Sequence, residues 1–215
     1  MRFLLALASL AATTPLVAAP PPASAWTVGP IVRGQSVSRG LPLRPRAVAG
    51  RAISVEIPGR PGSLHGLTVA PQALGRASLA GARRLVIRYR IEAAPGVRVY
   101  PVTDPRLPPL ATLYLQRAGD DWSARGPFET FRWYASFATQ TLDASNPGER
   151  TIVAPLTADW TAIMTSRARS SPAAFRAALA QPFAVGLVLG GGDGLGHGIA
   201  ATGPARLVVT DFRVE

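Results

Sequence analysis

Cysteine is absent from the 215-residue sequence, and so is lysine: all 23 basic residues are arginine. Without a thiol there can be no disulfide, no thiolate-rich zinc site, no cysteine nucleophile and no lipidated cysteine behind a leader. Without a lysine amine, Schiff-base chemistry and a Walker-type phosphate loop are excluded as well. Only 16% of residues are charged and only 12 are acidic, which disfavours long solvated helices and coiled coils. No Gly-x-Ser-x-Gly elbow and no His-Glu-x-x-His motif occur.

What is present is apolar residue, glycine and proline. Hydrophobic residues make up 47% of the chain, enough to fill a core, and glycine and proline number 21 each, which favours a turn-rich all-β fold. Period-2 alternation is clearest over Arg83–Ile91, where Leu85, Ile87, Tyr89 and Ile91 share one face and Arg84, Arg88 and Arg90 the other. Strand patterns also run over Arg51–Ile57, Val97–Val102, Ala111–Arg117, Thr130–Thr139, Thr151–Leu156, Phe183–Leu189 and Arg206–Val214, separated by turn residues such as Pro95-Gly96 and Asn146-Pro147-Gly148. One short helix is predicted over Pro172–Ala180, with Ser171 as cap and Phe175 and Leu179 four apart, and a second helical turn over Asp159–Thr165. The expectation is a two-sheet antiparallel jelly-roll sandwich with one or two short helices, in one domain.

The first residues read as a leader rather than as structure. Arg2, the apolar run Phe3–Ala12 and Ala23-Ser24-Ala25 have the order of a secretory signal over residues 1–25, with cleavage after Ala25 and a second possible site at Val17-Ala18-Ala19. The apolar run is well short of the ~20 residues that span a bilayer, so a membrane anchor is disfavoured. On this reading residues 26–50, rich in Gly, Pro and Arg, form an extended arm, residues 51–215 form the sandwich, and the protein is periplasmic or secreted. The net charge of +11 is dispersed, with no basic cluster longer than Arg83-Arg84. It suggests attraction to anionic envelope polymers rather than nucleic acid.

Two constellations stand out. Gly190-Gly191-Gly192-Asp193-Gly194-Leu195-Gly196-His197-Gly198 lies between two apolar segments and lacks the spacing of a nucleotide-binding loop. The simpler reading is a crowded connection between strands; the functional one is a pinned loop that projects Asp193 and His197 toward a ligand or metal. The aromatic set is the other. On a strand, Phe131, Trp133 and Phe137 share a core face, Arg132 and Tyr134 face solvent or a groove, and Trp122, after Asp120-Asp121 in a turn, is a candidate stacking platform. Trp122, Asp121, Arg132, Tyr134, His197 and Asp193 are therefore the candidate ligand-binding residues. His65 and His197 are the available general bases, with Asp120, Asp121, Asp193 and Glu129 as carboxylates, but too few groups gather in the sequence to assign a catalytic residue, a metal or a cofactor.

The C-terminal half carries Thr151–Leu156, Asp159-Trp160, the Phe175 helix, Val185–Gly191 and a closing Ala205–Val214 segment with Asp211-Phe212. In these features it resembles galactose-binding-like jelly rolls. Trp26–Gly34 and Gly196-His197-Gly198 are similar to segments of exported bacterial proteins without assigned activity. The resemblance implies carbohydrate binding through end loops or a concave sheet face, often beside a structural calcium; no acidic calcium cluster is evident, so no metal is carried over. The function expected is a non-catalytic module that binds a glycan or envelope polymer. The alternatives are an envelope assembly protein that binds a partner chain through its arm, and a glycan-active hydrolase.

Overall fold

The computed structural model describes residues 20–192 and 194–215. Asp193 and residues 1–19, most of the segment read above as a leader over residues 1–25, lie outside the described residues. In chain order the strands are β1 (Trp26–Val28), β2 (Ile31–Val32), β3 (Gln35–Ser36), β4 (Arg46–Ala47), β5 (Ile53–Glu56), β6 (Gly66–Val69), β7 (Arg84–Ala93) and β8 (Val99–Pro101). They continue with β9 (Pro109–Arg117), β10 (Arg132–Tyr134), β11 (Gln140–Thr141), β12 (Arg150–Pro155), β13 (Thr161–Ala162), β14 (Pro182–Gly191), β15 (Ile199–Ala201) and β16 (Ala205–Val214). The single α-helix among the described residues, α1, covers Pro172–Ala180.

The chain is an all-β sandwich. A seven-stranded antiparallel sheet runs β1-β6-β14-β9-β10-β13, with β11 also on β9, and a five-stranded antiparallel sheet runs β12-β7-β16-β5-β4. The alternation along each strand decides what fills the space between them. Leu113 and Leu115 of β9, Leu187 and Leu189 of β14 and Leu67 of β6 meet Leu85, Ile87 and Tyr89 of β7 and Leu207 and Val209 of β16 in one buried cluster. Each fully buried aliphatic side chain contributes about 1.5–3 kcal/mol relative to an exposed one. Helix α1 closes one end by placing the Phe175 ring 4.9 Å from Trp133 and 5.9 Å from Trp160. Pro172 occupies its first turn, whereas Ser171 makes no capping bond through its side chain.

The outward-facing arginines of β7 and β16 are paired with acids. Glu92 bridges Arg90 at 2.6 Å and Arg206 at 2.5 Å, and Glu215 accepts from Arg84 and Arg213. The few acids are thus concentrated where arginine rows would otherwise repel each other.

Three local expectations need correction. Asp159–Thr165 is not helical: Thr161–Ala162 instead adds β13 to β10, with Tyr134 opposite Thr161. The aromatic strand stops at Tyr134 and passes into a 3-10 turn at Ser136–Ala138, which leaves Phe137 46% exposed rather than in the core. Residues 26–50 are also more than a loose arm at their start, since β1 is a sheet strand in register with β6 and Trp26 is fully buried against the Phe212 ring at 5.4 Å.

The segment just before β1 is packed too. Pro20 and Pro21 are buried, Ala23–Ala25 form a 3-10 turn, and the Trp26 Nε1–H donates to the Pro21 carbonyl at 3.0 Å. Cleavage after Ala25 would remove this acceptor and leave a buried indole N–H without it, at a cost of about 1–3 kcal/mol. A chain starting at Pro20 is therefore expected to melt several degrees above one starting at Trp26, and equal melting temperatures would show that the segment contributes nothing.

Candidate functional site

The outer face of the seven-stranded sheet gathers most of the residues singled out by sequence. Trp26, Leu67, Leu113, Trp133 and Leu187 point into the core, so their neighbours along each strand point outward. The registers place Thr27 of β1, Thr68 of β6, Gly186 of β14, Tyr114 of β9, Tyr134 of β10 and Thr161 of β13 in one lane across the sheet. Beside it lies a second lane of Ala184, Gln116 and Arg132. Gly186 is required in the first lane because a Cβ there would collide with the Leu67 carbonyl oxygen of the neighbouring strand.

Arg132 is the hub of this face. Its Nε lies 3.1 Å from Asp120 Oδ2, with both side chains almost fully buried, and its guanidinium carbon sits 4.8 Å from the centre of the Trp122 ring. Asp120 also accepts from Gln116 Nε2 at 2.9 Å and from the Trp122 backbone N–H at 3.1 Å. The second bond holds Trp122 in a left-handed conformation, φ +67°, that a tryptophan adopts only when its surroundings impose it. Asp121 is exposed and shapes the same turn by accepting from the Ser123 backbone N–H at 2.8 Å.

Two cavities flank this hub. One, of 700 Å³, is lined by Trp122, Asp120, Gln116, Thr68, Arg33 and Arg44; the other, of 580 Å³, by Tyr134, Ser136, Thr139, Thr161, Leu195 and His197. The structure therefore brings Trp122 and Arg132 into contact and puts Tyr134 with His197, at opposite ends of one sheet face. Tyr114 and Tyr134 stack at 5.4 Å beneath Leu195 and Ile163. Burial pushes the Tyr134 phenol up to about 12 and the Tyr114 phenol well above its ordinary value, so both remain protonated hydrogen-bond donors. Tyr114 Oη and Arg132 Nη2 are buried and have no hydrogen-bond partner among the described residues. Tyr114 and Gln116 are site residues that the sequence reading did not choose, and Asp120, which it offered only as a carboxylate for catalysis, is here the partner of Arg132. The period-2 pattern of β9 was the available signal, since it sets Thr112, Tyr114 and Gln116 opposite three inward apolar residues.

The glycine-rich loop is crowded backbone. Gly196 and Gly198 have φ of +85° and +92°, and a Cβ on Gly198 would lie 2.8 Å from the His65 ring. That ring is tied to the loop by its Nδ1, 2.9 Å from the Gly196 carbonyl oxygen. A carbonyl only accepts, so Nδ1 carries the proton and Nε2 is the free lone pair, 3.0 Å from Ser63 Oγ. His197 is exposed. Among the described residues no three His, Asp or Glu side chains gather as metal ligands. Comparison with family models, curated protein sequences and solved structures finds no match to this chain.

Burial holds the His65 imidazole below its ordinary value of 6.5, opposed by the Gly196 bond and assisted by His197 and Arg39. A histidine whose folded value is depressed contributes stability above its unfolded value, and that stability is lost as pH falls below it. Wild type is thus expected to lose melting temperature between about pH 7 and about pH 5.5, and His65→Gln to lose less; parallel profiles would remove His65 as the cause. At neutral pH Gly198→Ala should destabilise by roughly 1–3 kcal/mol in urea titrations, while His197→Ala should cost less than about 0.5 kcal/mol.

Proposed function

We propose that this protein is an exported galactose-binding-like module that binds a hydroxyl-rich ligand, a glycan or envelope polymer, on the outer face of its seven-stranded sheet. The observation that carries the reading is the 700 Å³ cavity where the half-buried Trp122 ring stands beside Gln116, Thr68, Arg33 and Arg44, with two donors of the same sheet face, Tyr114 Oη and Arg132 Nη2, buried and without partners among the described residues. Buried donors of this kind are costly unless something accepts from them. A sugar ring offers acceptor hydroxyls at its edge and an apolar C–H face, which suits a lane of tyrosine, threonine and glutamine bordered by a tryptophan.

The two cavities give a ligand two places to seat, one beside Trp122, Gln116, Arg33 and Arg44 and the other beside Tyr134, Ser136 and His197, with the buried lane between them. Arginine at the first gives a preference for an anionic polymer, which suits the basic composition. The secretory-signal order of residues 1–25 supports a location outside the cytoplasm, where such polymers occur.

Affinity electrophoresis through gels carrying neutral or acidic polysaccharides tests this directly. Retardation by at least one polymer is expected, weakened about tenfold or more by Trp122→Ala. Tyr114→Phe removes a hydroxyl that the protein itself leaves unpaired, so it should weaken binding roughly 3- to 10-fold with the melting temperature unchanged or raised. If no polymer retards wild type, or if Tyr114→Phe loses stability but not binding, the assignment fails.

A further inference from the structure

A third cavity, of 680 Å³, lies on the other side of the glycine loop, away from the Tyr114 lane, and Ser36, Val37, Arg39, Arg60, Ser63 and His65 line it. Ser63 and His65 are two apart on extended chain leading into β6, where Leu64 pairs with Ile199, so they share a face. The result is Ser63 Oγ 3.0 Å from His65 Nε2, with Nδ1–H donated to the Gly196 carbonyl at 2.9 Å.

This is the order of contacts a serine nucleophile needs. The hydroxyl faces the lone pair of a base, and the base is oriented from behind by an acceptor that fixes its tautomer, here a backbone carbonyl in place of a carboxylate. The ring has little freedom to turn away, because Gly198 packs against it and the His65 backbone N–H is held by Ser38 Oγ at 3.0 Å. Burial keeps the imidazole in the neutral form able to take a proton. Two cations complete the cavity. Arg60 is anchored by donating to the Val102 carbonyl, and Arg39 is near enough to His65 to affect its charge.

We propose that Ser63 and His65 form the nucleophile and base of an acyl-ester hydrolase site, and that Arg39 and Arg60 select esters whose acyl part carries a carboxylate. In the first step Ser63 Oγ bonds to the ester carbon as its proton passes to His65 Nε2, and the carbonyl electron pair moves onto oxygen beside the guanidinium groups. Collapse of that intermediate breaks the carbon–alkoxy bond, and the leaving alcohol takes the proton from Nε2. Water then attacks the acyl-serine with His65 again as base; the bond to Oγ breaks, Ser63 regains a proton, and the carboxylic acid leaves. No metal, oxidant or cofactor enters the balance. The proposal is independent of ligand binding on the sheet face, since this cavity shares no residue with either cavity there.

The test uses the full processed chain, a fluorophosphonate probe and two esters, 4-nitrophenyl succinate and 4-nitrophenyl acetate. One phosphonyl adduct is expected, mapped by peptide mass spectrometry to Ser63 in wild type, which makes the result independent of whether any variant folds. Ser63→Ala should lose the adduct with its melting temperature retained, and His65→Gln should slow labelling at least tenfold. The succinyl ester should be hydrolysed at least tenfold faster than the acetyl ester, and Arg39→Ala should erase that preference. Wild type that is not labelled, or an adduct on another residue that persists in Ser63→Ala, overturns the assignment of the pair. Equal rates for the two esters overturn the role of the arginines.

Discussion

The pairing of Pro109–Arg117 with Pro182–Gly191 sets most of what this molecule can do. These are the two longest strands of the larger sheet, they pair along nearly their whole length, and Ala111, Leu113 and Leu115 of one and Val185, Leu187 and Leu189 of the other point inward. Because the side-chain period of a strand is two, fixing that inner row also fixes the outer one. Tyr114, Gln116, Gly186 and Val188 have no choice of face once Leu113, Leu115, Leu187 and Leu189 are buried. Slipping the register by one would turn the leucines out of the core and the polar lane into it, so the core holds the outer face in place.

On that surface a single buried ion pair organises the rest. Arg132 and Asp120 come from different segments, a short strand and the turn after β9, and taking two charges out of water is unfavourable unless both find several partners. Asp120 meets this with Gln116, the Trp122 backbone and Arg132 together, and Arg132 adds the Trp122 ring. The turn is thereby held over the sheet, and a left-handed tryptophan is tolerated within it. Stability and presentation of the ring rest on the same few contacts.

The glycine loop joins two functional surfaces without belonging wholly to either. Leu195 leans onto Tyr114 and Tyr134, His197 borders the same cavity, and the Gly196 carbonyl orients His65 in the other. Glycine is needed there because backbone passes against an aromatic ring at Gly198, not because a phosphate must be cradled. A loop fixed this tightly offers directed groups from its backbone, and the Gly196 carbonyl is the one that matters most.

The sequence by itself determined the fold class, the alternation of β7 and the helix at Pro172–Ala180, because these depend on period and composition within a few residues; it set Arg132 and Tyr134 on the face away from the core but not their burial there. It also placed Trp122 in a turn. It missed the four-residue strand Gly66–Val69 and the strand at Trp26, both too short to show alternation, and it extended the aromatic strand to Phe137 because nothing local marks the end at Tyr134. Ser63 and His65 share a face by spacing alone, yet their meaning depends on Gly196, more than 130 residues away in the chain. Likewise, no pattern within β9 says that Tyr114 Oη is left without a partner while Gln116 finds Asp120. Only tertiary structure decided those points, since hydrogen-bond partners and burial are properties of the surfaces that meet, and one segment of sequence carries half of each meeting.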